Sequence, residues 1–277
     1  MVSAKSSQPA ESESLQPRSP HPPAPLLRQI KPWVVPIGLL LVWELLARLG
    51  LLRIELMPAP TTVLSSGFDL LISGELLQHM KVSTGRAIAG FLVGGGFGFL
   101  LGLLNGLSPT AEDYLDASMQ MLRNIPNLAL VPLAILWFGI HEESKLFLVA
   151  IGVFFPIYMN TFHGVRGIDP ELIEVSRVYG LRSWNLFWQV ILPGALSSIL
   201  IGFRHSLGIT WVTIIVAETV AADSGIGFLA TEAREFLRTD IVMLCVILYA
   251  LLGKLADSAA RLLEQRCLKW HPGYQKG

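Results

Sequence analysis

The sequence predicts an all-α integral membrane protein with six spanning helices. Two observations carry that prediction. Hydrophobic residues make up 52% of the 277 and charged residues only 15%, with a mean hydropathy of +0.54, too apolar for a soluble chain of this length. The apolar residues are also gathered into stretches of about 20 that are nearly free of charge, each long enough to cross the hydrocarbon core of a bilayer.

The spans follow in order. The first covers about 33–49. The second, about 84–107, is glycine-rich. The third, about 115–138, is interrupted by Arg123, Asn124 and Asn127 and broken by Pro126 and Pro132. The fourth covers about 145–163, the fifth about 194–220 and the sixth about 240–260. Residues 31–270 thus form one six-helix membrane domain. Residues 1–30 hold Ser19-Pro-His-Pro-Pro-Ala-Pro25 and no apolar face, so they read as a disordered tail; residues 271–277 form a short C-terminal tail. No apolar stretch with a small-residue cleavage site follows the first charges, which excludes a signal peptide. Lys and Arg concentrate in the tails and in the connection between spans four and five. The positive-inside rule then places both termini in the cytoplasm.

Two segments on the opposite side carry more than turn chemistry. Pro58–Gln78 and Asp223–Thr239 space apolar residues as a helix would, so each is either a surface helix or an ordered loop. Glu44 and Arg48 are four apart and read as a local pair. The net charge of zero implies no nucleic-acid partner. Cys245 and Cys267 match no metal or disulfide spacing, so no metal site is expected.

In the second span Gly90, Gly94, Gly98, Gly102 and Gly106 recur every four residues. They share one helix face and leave it nearly flat, which lets another helix backbone approach closely. Gly95 and Gly96 widen the stripe. The partner lies either within the subunit or across a dimer.

The connection between spans four and five has sharp helix punctuation. Asp169 suits an N-cap and Pro170 the first helical position. Glu171 and Glu174 favour the positive helix N-terminus, and Gly180 suits a left-handed C-terminal position. A helix of about 10 residues follows, with Leu172, Val175 and Tyr179 on one face and Glu174 three residues from Arg177. Ser183 suits the cap of a second, interfacial helix carrying Trp184 and Trp188, and Pro193 opens the fifth span. Such a stiff, doubly anchored element is either a docking part for another protein or a partnerless interfacial linker.

The same segment resembles the EAA loop of permease subunits of bacterial ABC importers. That pattern has Glu, two small residues, Gly six after the Glu, and Leu-Pro twelve further on. Here it is Glu174, Val175, Ser176, Gly180, Leu192 and Pro193. Val175 and Ser176 replace the family's usual alanines, and Val190 its isoleucine. The likeness extends from about Trp33 to the C-terminus, through Arg86, through 121-MLRNIPNLALVPLAILWFG-139 and through 213-TIIVAET-219 with 224-SGIGFL-229. These are similar to the nitrate/sulfonate/taurine branch, and most similar to its aliphatic sulfonate permeases. The resemblance implies a type I importer permease fold in a bacterial inner membrane, with 169–182 as a coupling helix seated in a cleft of a separate ATPase. Glu174, Val175, Ser176, Arg177, Gly180, Leu192 and Pro193 would serve that coupling. It also implies two ATPase copies, a second copy of this chain and an extracytoplasmic substrate-binding protein.

Polar residues inside spans are costly and face a cavity or a partner. The candidates for a translocation pathway are Arg123, Asn124 and Asn127 in span three, with Arg204, His205, Thr210, Thr213 and Glu218 in span five. For Arg123 and Arg204 the alternative is snorkelling or an internal pair, with Glu218 or Asp116 as partner.

Other classes fit less well. No GxxxxGK[ST] occurs, and Gly253-Lys254 lacks both the following hydroxyl and the upstream glycine. ATP would be used by a partner, and the chain itself needs no cofactor. His205 and Ser206 are adjacent but point apart on a helix, and no hydrolase motif surrounds them, against an intramembrane enzyme. A secondary transporter would show paired broken helices in two internal repeats; one break is present.

Overall fold

A computed structural model of the chain describes residues 26–53 and 56–270. Most of the expected N-terminal tail and all of 271–277 lie outside them. The described residues are helical, with no strand. In chain order they form α1 (Leu26–Arg48), α2 (Pro60–Ile72), α3 (Glu75–Leu107), α4 (Pro109–Leu122), a 3₁₀ turn (Asn127–Leu130), α5 (Val131–Phe138), α6 (Glu142–Arg166), α7 (Pro170–Val178), α8 (Ser183–Leu186), a π turn (Phe187–Ile191), α9 (Leu192–Ala221), α10 (Ile226–Glu235) and α11 (Thr239–Cys267). The first of these opens at Leu26, inside the stretch read as tail.

Four helical runs among the described residues are long and apolar enough to cross a membrane: α3, α6, the run 184–221 and α11. The fifth is the third expected span, bent by 83° between α4 and the 3₁₀ turn. Its break lies at 123–126, where Pro126 pushes the preceding residue out of helical geometry. Pro132 sits in the first turn of α5, where its missing N–H costs nothing. α1 covers the first expected span, and its 23 residues make about 35 Å of helix. Glu44 accepts from Arg48 Nε at 2.6 Å, the expected pair, and also from the backbone N–H of Thr61 at 3.1 Å. That N–H is an orphan donor of the first turn of α2, so the end of α1 caps the next helix. The two segments left open as helix or loop are helices, α2 and α10.

α6 is the centre of the bundle, making its two most extensive packings with α3 and α9. Val149, Val153 and Ile157 repeat every four residues along it and are fully buried. The glycine stripe of α3 meets this helix, which settles its partner as within the subunit. A Cβ on Gly98 would come within 2.5 Å of the Phe154 carbonyl oxygen, one on Gly102 within 2.7 Å of the Tyr158 oxygen, and one on Gly94 would overlap the Ala150 backbone. Gly90 and Gly106 face Val149 and Val165 in the same way. Gly95 joins the contact through Ile157, but Gly96 faces open space. It is offset by 200° around the helix from Gly94, so the stripe does not include it.

Candidate functional site

The segment between α6 and α9 folds as its punctuation predicts. The Asp169 carboxylate accepts the N–H of Glu171 at 2.9 Å, and Pro170 begins α7. At the other end Gly180 has φ +87°. Leu181 N–H bonds the Ser176 oxygen at 3.1 Å and Gly180 N–H the Arg177 oxygen at 3.0 Å. These are the two reversed bonds of a Schellman motif, which needs a left-handed residue at that position. Ile173 packs on Val165, Ile168, Ala195 and Ile199, and buried Ser176 donates to the Leu172 oxygen at 2.7 Å. Those two residues turn inward. Leu172, Val175, Val178 and Tyr179 turn outward, the last two 86% and 84% exposed. Glu174, Arg177 and Gly180 are exposed as well, and Glu174 and Arg177 form no ion pair with each other.

The return to the membrane differs from expectation in one respect. Ser183 is the first residue of α8 instead of its cap, and 183–221 is one continuous helical run. Pro193 therefore lies inside a helix. A proline there cannot donate, and its ring collides with the turn before it. The π turn resolves this: Leu192 N–H bonds the Phe187 oxygen, five residues back. The widened turn makes room for the ring, so the Leu192-Pro193 pair has a structural consequence that spacing alone did not reveal.

Five of the eight pathway candidates come together. Arg123, Asn124 and His205 line a groove of about 480 Å³ with Asn160, between the bent span, α6 and α9. Asn127, His205 and Thr213 line a second of about 490 Å³. His205 borders both. On α9 it falls on an exposed stripe with Ile201, Gly208 and Val212. The other three turn into the bundle. Arg204 Nε donates to Asp257 at 2.8 Å and Nη1 to Glu264 at 3.4 Å, both on α11. That is the internal pair left open by the sequence, with neither Glu218 nor Asp116 as partner. Thr210 donates to the Ser206 oxygen one turn back.

Glu218 is the hub of a buried network that the sequence reading did not assemble. Its carboxylate is 1% exposed. It accepts from Ser83 Oγ at 2.7 Å, Arg86 Nη1 at 2.9 Å, Gly227 N–H at 2.9 Å and Tyr249 OH at 3.2 Å. Arg86 also makes a fork to Glu142, Nε at 2.6 Å and Nη2 at 2.5 Å, and Lys145 Nζ reaches the same carboxylate at 3.0 Å. Arg86 Nη1 donates to the Ser224 carbonyl, and His79 Nδ1 accepts from Gly225 N–H. The network joins α3, α6, α9, α10 and α11 at the end of the bundle opposite α7. It pins the turn 224–227 onto Glu218 so closely that a Cβ at Gly227 would come within 2.6 Å of the Glu218 Cβ. The available signal was positional: Arg86, Glu142 and Glu218 all fall near the same ends of spans two, four and five.

Comparison with known proteins decides what this architecture belongs to. The family described as binding-protein-dependent transport system inner membrane component matches residues 94–269. The chain belongs to that family. It is a multi-pass inner-membrane permease subunit, of a transport family and not an enzyme family. It is 54% identical over 248 residues, 90% of this chain and 94% of the relative, to the putative aliphatic sulfonates transport permease protein SsuC of Escherichia coli. Identity to the taurine transport system permease protein TauC of the same organism is 35%, over 89% of this chain and 92% of that one. A solved structure of the MetNI methionine ABC transporter in an inward-facing conformation shares the fold. The TM-score is 0.51 at 19% identity, over 71% of this chain and 97% of that one. The expected type I permease architecture is thus the observed one, and a permease of this family works with an ATPase and a binding protein.

Proposed function

We propose that this permease subunit imports aliphatic sulfonates and is driven by a separate ATPase that grips α7. The exposed face of α7 carries the coupling half of this reading. A helix capped at both ends, anchored by Ile173 and Ser176 and showing Leu172, Val175, Val178 and Tyr179 to solvent, is a lever whose outer face is built for a partner. The chain has no phosphate loop of its own, so ATP is used by that partner. One handle per chain fits two copies of this subunit over two ATPase subunits, both termini on the ATPase side and a binding protein on the other.

A push on α7 reaches α6 on one side and the continuous run 183–221 on the other. Because α6 is clamped to α3 along the glycine stripe, the helices move as packed bodies, the ordinary mechanism of alternating access. A sulfonate is a fully ionised oxyanion with three equivalent oxygens. Arg123 offers it a planar fork of donors, and Asn124, Asn127 and Thr213 offer neutral ones along the two grooves. The substrate class rests on the 54% identity to the sulfonate permease.

The test is uptake by cells with and without this chain, offered labelled alkanesulfonate, taurine and nitrate. A deficit confined to alkanesulfonate is expected. A deficit in taurine or nitrate instead keeps the permease and overturns the substrate. For the coupling half, Gly180→Val puts a β-branched residue at φ +87°, and uptake should fall while membrane insertion stays normal; unchanged uptake would remove α7 as the handle.

A further inference from the structure

A groove of about 860 Å³ lies between the last turn of α3 and the segment that follows α7. Its floor is apolar, built from Leu103 and Leu107 of α3 with Leu186 and Ile191 of the run leading into α9. Two arginines, Arg177 and Arg182, are among its lining residues, and no carboxylate is. Neither makes an ion pair or side-chain hydrogen bond among the described residues. Trp184, 68% exposed, also lines the groove, as an amphipathic ring of the kind that collects at the membrane surface.

This combination is unlike the rest of the surface. The groove lies where two candidate membrane spans end, at the last turn of α3 and the first turns of the run 184–221, which places it at the level of the bilayer surface. Guanidinium groups with no internal partner, above hydrocarbon, match one ligand shape: a phosphodiester with acyl chains below it. We infer that this groove holds an anionic phospholipid, its phosphate on Arg177 and Arg182 and an acyl chain along Leu103, Leu107 and Ile191. The lipid would underlie α7 and the run beside it, so the composition of the bilayer would bear on the lever. The side of the membrane follows from the reading of α7 given above; the site does not.

Trp184 supplies the probe. The full chain is reconstituted in phosphatidylcholine vesicles containing a minor fraction of acyl-brominated lipid, either phosphatidylglycerol or phosphatidylcholine, and a Trp184→Phe variant isolates the signal of that residue. Brominated phosphatidylglycerol should quench Trp184 selectively. Arg177→Gln and Arg182→Gln should each weaken the preference about fivefold, since one arginine near the surface contributes on that order. Both arginines are exposed, so these variants keep the fold. Equal quenching by the two lipids, or a preference untouched by both variants, would overturn the assignment. So would relief of quenching by added inorganic phosphate, which would make the groove a soluble-anion site. Relief by bound ATPase subunits would give it to that partner instead. None of these outcomes depends on which anion the permease transports.

Discussion

The two ends of the bundle satisfy their polar groups in opposite ways. At the Glu218 end the central charges are paired within the chain: Arg86, itself buried, meets Glu142, Glu218 and Ser224, and Lys145, 2% exposed, meets Glu142. At the α7 end Glu174, Arg177 and Arg182 face out unpaired beside exposed Val178 and Tyr179. The core of the first end is satisfied within one chain; on the proposed reading the second is completed by the ATPase. A machine that receives force at one end needs this asymmetry, because a lever must be open to its driver while the far end holds its helices in register.

The largest effect should come from breaking the closed end. Glu218→Ala leaves Arg86 buried without one of its two close carboxylate partners and strands the donors of Ser83, Gly227 and Tyr249. Removing one member of a buried ionic group costs about 3–5 kcal/mol. Thermal unfolding of the purified chain, followed by tryptophan fluorescence, should show a large loss. Glu218→Gln keeps the shape and several acceptors and should lose less. Equal, small losses for both would mean that the network does not hold this end together.

The glycine stripe gives the intermediate effect and an internal control. Gly94→Ala places a methyl group against the Ala150 backbone, so α3 and α6 must separate, at about 1–3 kcal/mol for overpacking. Gly96→Ala meets nothing within 4 Å and should gain up to about 1 kcal/mol from helix propensity. The same unfolding experiment compares the two, and a shared sign would contradict the packing described here.

These particular residues also show what was legible beforehand. The span order, the kink at Pro126, the ladder from Gly90 to Gly106 and both ends of α7 are local signals. They depend on residues within one or two turns of each other, and the sequence displays them directly. The pairing of Arg86 with Glu142 and Glu218 joins residues 56 and 132 positions apart, and no period or cap encodes it. Arg204 shows the limit clearly. An internal pair was one alternative to a pathway role, and choosing Asp257 over Glu218 as its partner requires knowing how α9 rotates against α11. Gly96 fell to the same difficulty on a smaller scale, because its place on the stripe depends on an angle about the helix axis and not on adjacency to Gly95.

The smallest effect on stability should come at the open end. Tyr179 caps the C-terminus of α7 with its backbone, while its ring, 84% exposed, touches little of the chain. Tyr179→Ala should therefore leave unfolding within about 0.5 kcal/mol of the parent, as surface changes do. Aromatic residues at a protein interface often carry 2 kcal/mol or more, so retention of the ATPase subunit by the purified permease should weaken by roughly tenfold or more. The two readings separate structure from coupling. A variant that is as stable as its parent and yet loses its ATPase places the function of that ring outside the chain, where the exposed face of α7 points. A variant that loses stability instead would mean that the ring is part of the fold, and that the two ends of the bundle are less different than their charges suggest.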